Sequence, residues 1–202
     1  MDEKENNKSE DQVLVERVLR GDTKAFRFII EGTQGLVTQI IYKMIFNQED
    51  RKDIAQDVYL KTYDKLGSFK FQSKLSTWIW QITFNTCSNY LQKRKLLLVD
   101  DIIKTEEPDD REHNPRFDAD PFLNDIEKGI MTNDLKQILD KEINKLSPLY
   151  KTLIMLYHHE ELSYNEISQI VQLPEGTIKS YLFRARKILK DQLTNAYKDG
   201  SL

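Results

Sequence analysis

The chain has 202 residues, 39% of them hydrophobic, and a formal net charge of −3, so it can fill one large domain or two small ones. No stretch approaches the roughly 20 apolar residues of a membrane span. The polar start MDEKENNKSEDQ lacks the apolar core of a signal peptide, which gives a cytoplasmic expectation.

The only cysteine, Cys87, leaves no internal disulfide and no thiolate zinc site, and its expected place is a helix face as a small apolar residue. Helical periodicity recurs along the chain and strand alternation does not, which points to an all-α protein. The near-neutral total speaks against a nucleic-acid binder, but the charge is unevenly distributed. From Lys70 to Val99 there are five basic residues and no acidic one; from Asp100 to Glu127 there are eleven acidic residues against three basic.

In chain order, residues 1–10 read as a disordered tail. Asp11 to Arg20 is a first helix with Val13, Val15, Val18 and Leu19 as its apolar residues, ended by Gly21. Asp22 caps a long second helix carrying Phe26, Ile29, Ile30, Val37, Ile40, Ile41 and Met44, and Gly32 and Gly35 are expected to bend or break it. Asp50 opens a third helix whose Ala55, Val58, Tyr59, Thr62 and Leu66 share one face, with Asp53, Gln56, Asp57, Lys61 and Asp64 outside it.

A fourth helix is expected from near Ser73. Leu75, Trp78, Ile79, Ile82, Thr86 and Tyr90 form one apolar face, and Trp80, Phe84, Cys87 and Leu91 a second. Between them runs a polar stripe of Lys74, Thr77, Gln81, Asn85, Ser88 and Gln92, ending in Lys93-Arg94-Lys95. Uncharged polar groups in a row, bounded by aromatics and cations, suit contact with bases and phosphates. Trp78 and Trp80 themselves fall on apolar faces, where core packing is their ordinary role.

The acidic segment that follows contains Pro108, Pro115 and Pro121 and no sustained helical period, so residues 97–130 read as a flexible linker. Its charge also fits an electrostatic mimic of nucleic acid. Beyond it, Leu162 to Arg186 reads as two short helices joined by a tight turn. Ser163 and Glu166 make a capping box, Ile167, Ile170 and Val171 repeat at helical spacing, and Leu173-Pro174 breaks the run. The next helix sets Ile178, Leu182, Ala185 and Leu189 on one face and Lys179, Arg184, Arg186, Lys187 and Lys190 on the remainder. A cationic second helix of a helix-turn-helix is what a major groove admits, although the same charge fits the solvated face of a plain helical hairpin.

Together these segments resemble the RNA polymerase sigma factors of the extracytoplasmic-function (ECF) type. The resemblance covers Val13 to Lys95 and Ile143 to Leu193. DIAQDVYLKTYDKLGSF is similar to the family's polymerase-binding helix, and FKFQSKLSTWIWQITFNTCSNYLQKRK to its promoter-melting helix. LSPLYKTLIMLYHHEELSYNEISQIVQLPEGTIKSYLFRARKIL is similar to the helix-turn-helix that reads the minus-thirty-five element.

The resemblance implies two small helical domains, sigma region 2 over residues 11–96 and sigma region 4 over 131–194, with a tail at 195–202. It implies that Asp53, Gln56 and Asp57 meet a basic helical hairpin in the largest subunit of the polymerase core. It implies that Lys70, Phe71, Gln72, Ser73, Lys74, Gln81 and Asn85 face the minus-ten DNA, and Thr177, Lys179, Ser180, Phe183, Arg184 and Arg186 the minus-thirty-five DNA. An anti-sigma protein, membrane-anchored in some systems, is the further partner it implies.

The chain departs from the family where glycine is frequent, at Glu161 and Gln172, where alanine is usual, at Ser168, and where arginine is frequent, at Tyr181. The loop FKFQSK also lacks a common Gly-Asp. A non-glycine residue held at positive φ costs on the order of 1 kcal/mol. No catalytic constellation competes with this reading, and neither cofactor nor metal is expected. His158 and His159 are adjacent, hence about 100° apart on a helix, and no second ligand pair stands at metal spacing. The proline-broken acidic segment cannot hold two carboxylates in fixed geometry. The rival is a stand-alone helix-turn-helix regulator, which has no need of a stripe for unpaired bases.

Overall fold

The computed structural model describes residues 9–99 and 133–198, and every regular element among them is helical. Residues 1–8 of the expected tail 1–10 and most of the linker lie outside the described residues, while Ser9 and Glu10 cap and open α1. Helix α1 spans Glu10–Leu19, α2 Thr23–Met44, α3 Gln48–Lys65 and α4 Leu75–Val99. After the linker come α5 at Asn133–Lys145, α6 at Pro148–Ile154, α7 at Tyr164–Val171 and α8 at Glu175–Lys198.

Local chemistry explains most of the ends. Ser9 and Gln12 form a reciprocal capping box on α1. Asp22 accepts the backbone N–H groups of Lys24 and Ala25 at 3.0 and 3.2 Å, and Arg17 donates to its other oxygen at 2.8 Å. One carboxylate thus starts α2 and ties it to α1, and its pKa is lowered chiefly by Arg17. Asn47 caps α3, which therefore begins two residues before the expected Asp50.

The cap of α4 comes from elsewhere. The Asp11 carboxylate, 64 positions upstream on α1, accepts the Leu75 N–H at 2.8 Å. It satisfies one orphan donor of a helix that Ser73 was expected to open.

The first core lies between α1, α2, α3 and α4. It contains Val15, Val18, Ala25, Ile29, Val37, Ile40, Ile54, Val58, Leu66, Leu75 and Ile79. Val13 and Leu19 stay exposed. The stripe of α1 that packs inward is Leu14, Val15 and Val18, and Val13 sits about 200° round the helix from Val15. Thr33 donates to the Ile29 carbonyl at 2.7 Å and lies 3.2 Å from the Tyr59 hydroxyl, which joins α2 to α3. Cys87 is fully buried, and burial pushes its thiol up to about 12.

The second core gathers Leu146, Leu153, Leu156, Ile167, Ile170, Val171, Ile178, Leu182, Ala185 and Leu189 from α5 to α8. All four residues of the expected inner face of α8 are in it. α6 runs on into a π-helical turn, Met155–His159, and α8 continues to Lys198, past the expected boundary at 194.

Of the expected bend or break at Gly32 and Gly35, the break does not occur, for α2 is continuous. Thr33, Leu36 and Val37 are buried around the glycines and hold the backbone helical. Both glycines face solvent, and a Cβ at either would meet nothing within 4 Å. Each therefore carries only the entropic cost of glycine in a helix. Gly32→Ala and Gly35→Ala should each raise the unfolding free energy by roughly 0.5–1 kcal/mol in urea titrations. A loss of stability in either would mean the helix needs the flexibility there.

Candidate nucleic-acid interface

The outer side of α3 carries the first group of expected site residues. Asp53 and Gln56 are exposed, and Asp57 is half-exposed with an ion pair to Lys61 at 2.6 Å. The helix places them together because they lie off the buried line Ile54, Val58 and Thr62. Leu60 is exposed beside them, at 65%, and Tyr63 stands edge-on to Phe26. The expectation for this face was the polar group Asp53, Gln56, Asp57, Lys61 and Asp64; it also has an apolar part that only the burial pattern reveals.

The second group surrounds the start of α4. Phe69 is buried, with the Phe71 ring 4.7 Å and the Trp78 ring 5.1 Å from its own. Phe71 holds φ at 56°, a left-handed conformation that tightens the loop before α4. Around this aromatic floor lies a cavity of about 400 Å³ lined by Ser68, Lys70, Gln72, Ser73, Thr77, Gln81 and Gln169. Amide and hydroxyl groups beside a cluster of tilted rings are a surface that can stack a planar base and hydrogen-bond its edge. Phe69 and Trp78 were not among the expected site residues, yet they make its base.

The polar stripe of α4 is not open to solvent as expected. Thr77 is 3% exposed, and Asn85 donates its amide N–H to the Gln172 side-chain oxygen at 3.2 Å. Lys74 stands 3.5 Å from Glu166. The cause is packing: α7 lies against α4, and α6 against α2. The linker therefore joins two units that are in contact. Where they meet, the Lys151 ammonium is pushed down by burial, then by Lys43 and Arg51.

The third group sits on the helix-turn-helix. Both turns that depart from glycine are left-handed, with φ of 52° at Glu161 and 57° at Gln172. The Ser168 hydroxyl donates to the Leu173 carbonyl at 2.7 Å, bracing the turn where a smaller alanine is usual. Ser163 and Glu166 form the expected capping box, and the Ser163 N–H and hydroxyl, with Lys74, hold the Glu166 carboxyl below its usual range.

On α8, Thr177, Lys179, Ser180, Phe183, Arg184 and Arg186 are all half-buried. Lys179 lies 5.1 Å from the Tyr164 ring centre and Arg184 5.9 Å from that of Tyr181. Ser180 donates back to the Gly176 carbonyl at 3.0 Å. Arg186 reaches His158 Nε2 at 3.1 Å and stands 5.2 Å from the Tyr157 ring. That guanidinium therefore also braces the end of α6, a contact that spacing on α8 could not reveal.

Two family models match the chain: Sigma-70 region 2 over residues 29–96 and Sigma-70 region 4 over residues 136–189. The ECF RNA polymerase sigma-E factor of Escherichia coli is 33% identical over 91% of this chain and 94% of its own length. The RNA polymerase sigma-H factor of Pseudomonas aeruginosa is 31% identical, again over 91% and 94%. The fold is similar to that of CnrH in complex with the cytosolic domain of CnrY, with a TM-score of 0.60 at 17% identity, covering 92% and 97% of the two chains. It is also similar to the sigma factor RpoE of Bartonella quintana in complex with the anti-sigma factor NepR, at 0.59 and 22% identity, covering 85% and 98%. The two-part helical fold, the cationic helix-turn-helix and these relatives together make the chain a member of the ECF sigma factors of RNA polymerase, a non-enzymatic transcription initiation factor.

Proposed function

We propose that this sigma factor divides its work among three surfaces. Residues 11–96 act as region 2 and residues 131–194 as region 4, joined by the acidic linker 97–130. Asp53, Gln56 and Asp57 on α3 dock on a basic helical hairpin of the polymerase core. Lys70, Phe71, Gln72, Ser73, Lys74, Gln81 and Asn85 hold the minus-ten strand. Thr177, Lys179, Ser180, Phe183, Arg184 and Arg186 face the minus-thirty-five duplex.

The observation that supports this most is the aromatic-floored cavity at the start of α4. A regulator that binds only duplex has no use for a place to stack an unpaired base. The family points to the cytoplasm as the place of action and to an anti-sigma protein as a further partner. The two solved structures of like fold each hold a bound protein, one named an anti-sigma factor.

Co-elution with core polymerase separates this reading from the stand-alone regulator. Asp57→Ala should weaken core binding measurably. Its stability should change by about 0.5 kcal/mol or less, because the Lys61 pair is a solvent-exposed helical pair. Equal core affinity for the variant and the wild type would remove α3 from the interface.

The contacts of α8 divide by type. Losing a base contact at Lys179→Ala should cost about 1–3 kcal/mol at one promoter position and relax the preference there. Arg186→Ala should weaken all sequences alike and lower the salt slope by roughly one unit. It should also lower the melting temperature, since the contact with His158 goes with it. Binding titrations at several salt concentrations would read both. The reverse pattern would mean that α8 lies rolled in the groove.

A further inference from the structure

Two cations of α8 are seated on one aromatic pair that α8 does not supply. Tyr157 and Tyr164 stack with ring centres 4.9 Å apart and planes 19° from parallel. Arg186 stands 5.2 Å from the Tyr157 ring centre and Lys179 5.1 Å from that of Tyr164, both within cation–π reach. Lys179 and Arg186 are seven positions apart on one helix. They therefore fall about 20° apart around it and roughly 10 Å apart along it. The pair thus underlies one face of α8 and holds a cation at each end.

The backbone is shaped to make this pair. Tyr157 lies in the π-helical turn Met155–His159, and Tyr164 opens α7. The Glu160 N–H donates to the Met155 carbonyl at 3.1 Å, and the Leu162 N–H to that of Leu156 at 3.0 Å. Between them Glu161 takes a φ of 52° and turns the chain toward α7. Such π turns are rare and frequent at functional sites, and strained non-glycine residues cluster there too. His158 sets its ring edge-on to Tyr157 at 4.9 Å and its Nε2 3.1 Å from Arg186, so that guanidinium is held on two sides.

We propose that the stacked Tyr157–Tyr164 pair positions Lys179 and Arg186 for DNA, and so sets base preference at the minus-thirty-five element without itself touching a base. This rests on the assignment of α8 to that element. Lys179 hangs on a long flexible stem, and it selects a base only if its ammonium arrives in one place. The face of Tyr164 gives it that place. Arg186, on the neighbouring ring, fixes the backbone register against which Lys179 reaches the base.

The test uses holoenzyme assembled with core polymerase and a pool of random-sequence DNA duplexes. Bound sequences are counted for wild type and three variants. Tyr157→Leu with Tyr164→Leu keeps apolar bulk but removes the ring faces, and discrimination at one base position should fall roughly three- to tenfold. Tyr157→Phe with Tyr164→Phe keeps the rings and should stay within about twofold of wild type. Lys179→Ala should relax the same position as the leucine pair. The ratio between bases does not depend on what fraction of the chain is folded, so lost stability alone cannot produce this split. A wild-type ratio in the leucine pair, with Lys179→Ala relaxed, would overturn the proposal. So would a phenylalanine pair as relaxed as the leucine pair, since the hydroxyls would then be reading the DNA. If Lys179→Ala itself leaves every position unchanged, the assignment of Lys179 to a base fails, and this inference with it.

Discussion

The N-terminal half of this molecule, and its contact with the C-terminal half, are arranged around the burial of α4. The helix runs from Leu75 to Val99 and packs against α2, α3 and α7. A helix covered on so many sides cannot be one-sided in its sequence, and α4 is not: apolar, hydroxyl and amide residues alternate around it. Its buried threonine Thr83 is satisfied within the helix, donating to the Ile79 carbonyl at 2.9 Å. Tyr90 donates to Asp50, and Arg94 stands 3.6 Å from the same carboxylate, so the far end of α4 is pinned to α3 as Asp11 pins its start. A rigid, well-anchored helix is the support that a base-binding loop requires.

The helix-turn-helix follows a different logic. Its core is small, and its geometry is set at two points where backbone strain is accepted in place of glycine. Gln172 and Glu161 both take left-handed φ, and the Ser168 hydroxyl braces the first of these turns. Along α8 three of the cations lie over aromatic rings: Lys179 near Tyr164, Arg184 near Tyr181 and Arg186 near Tyr157. Such contacts pre-orient long side chains that would otherwise lose rotamer entropy on meeting DNA. Tyr181, where arginine is frequent in the family, also packs its ring at a tilt against Tyr150 and so joins α8 to α6.

Much of this was readable from residue order because the signals are local. The Ser163 capping box, the Asp22 cap and the inner face of α8 depend on neighbours within one or two turns. So did the exposure of Asp53 and Gln56. What could not be read depends on residues far apart in the chain. The cap of α4 comes from Asp11, the brace on Arg186 from His158, and the cover on Thr77 and Asn85 from α7. The expected break at Gly32 and Gly35 failed for the same reason, since packing of Thr33, Leu36 and Val37 outweighs a weak local preference. Helical spacing groups the polar residues of α4 in a stripe, but spacing carries no information about which surface would lie against it.

The main contact that joins the two halves is the packing of α7 on α4. Spin labels at Asn89→Cys on α4 and Asn165→Cys on α7 would report it, since both positions are exposed and the buried Cys87 thiol, raised to about 12, resists labelling. Pulsed electron–electron double resonance should give one narrow distance distribution in the free chain. A broad spread of distances in the free chain would contradict it.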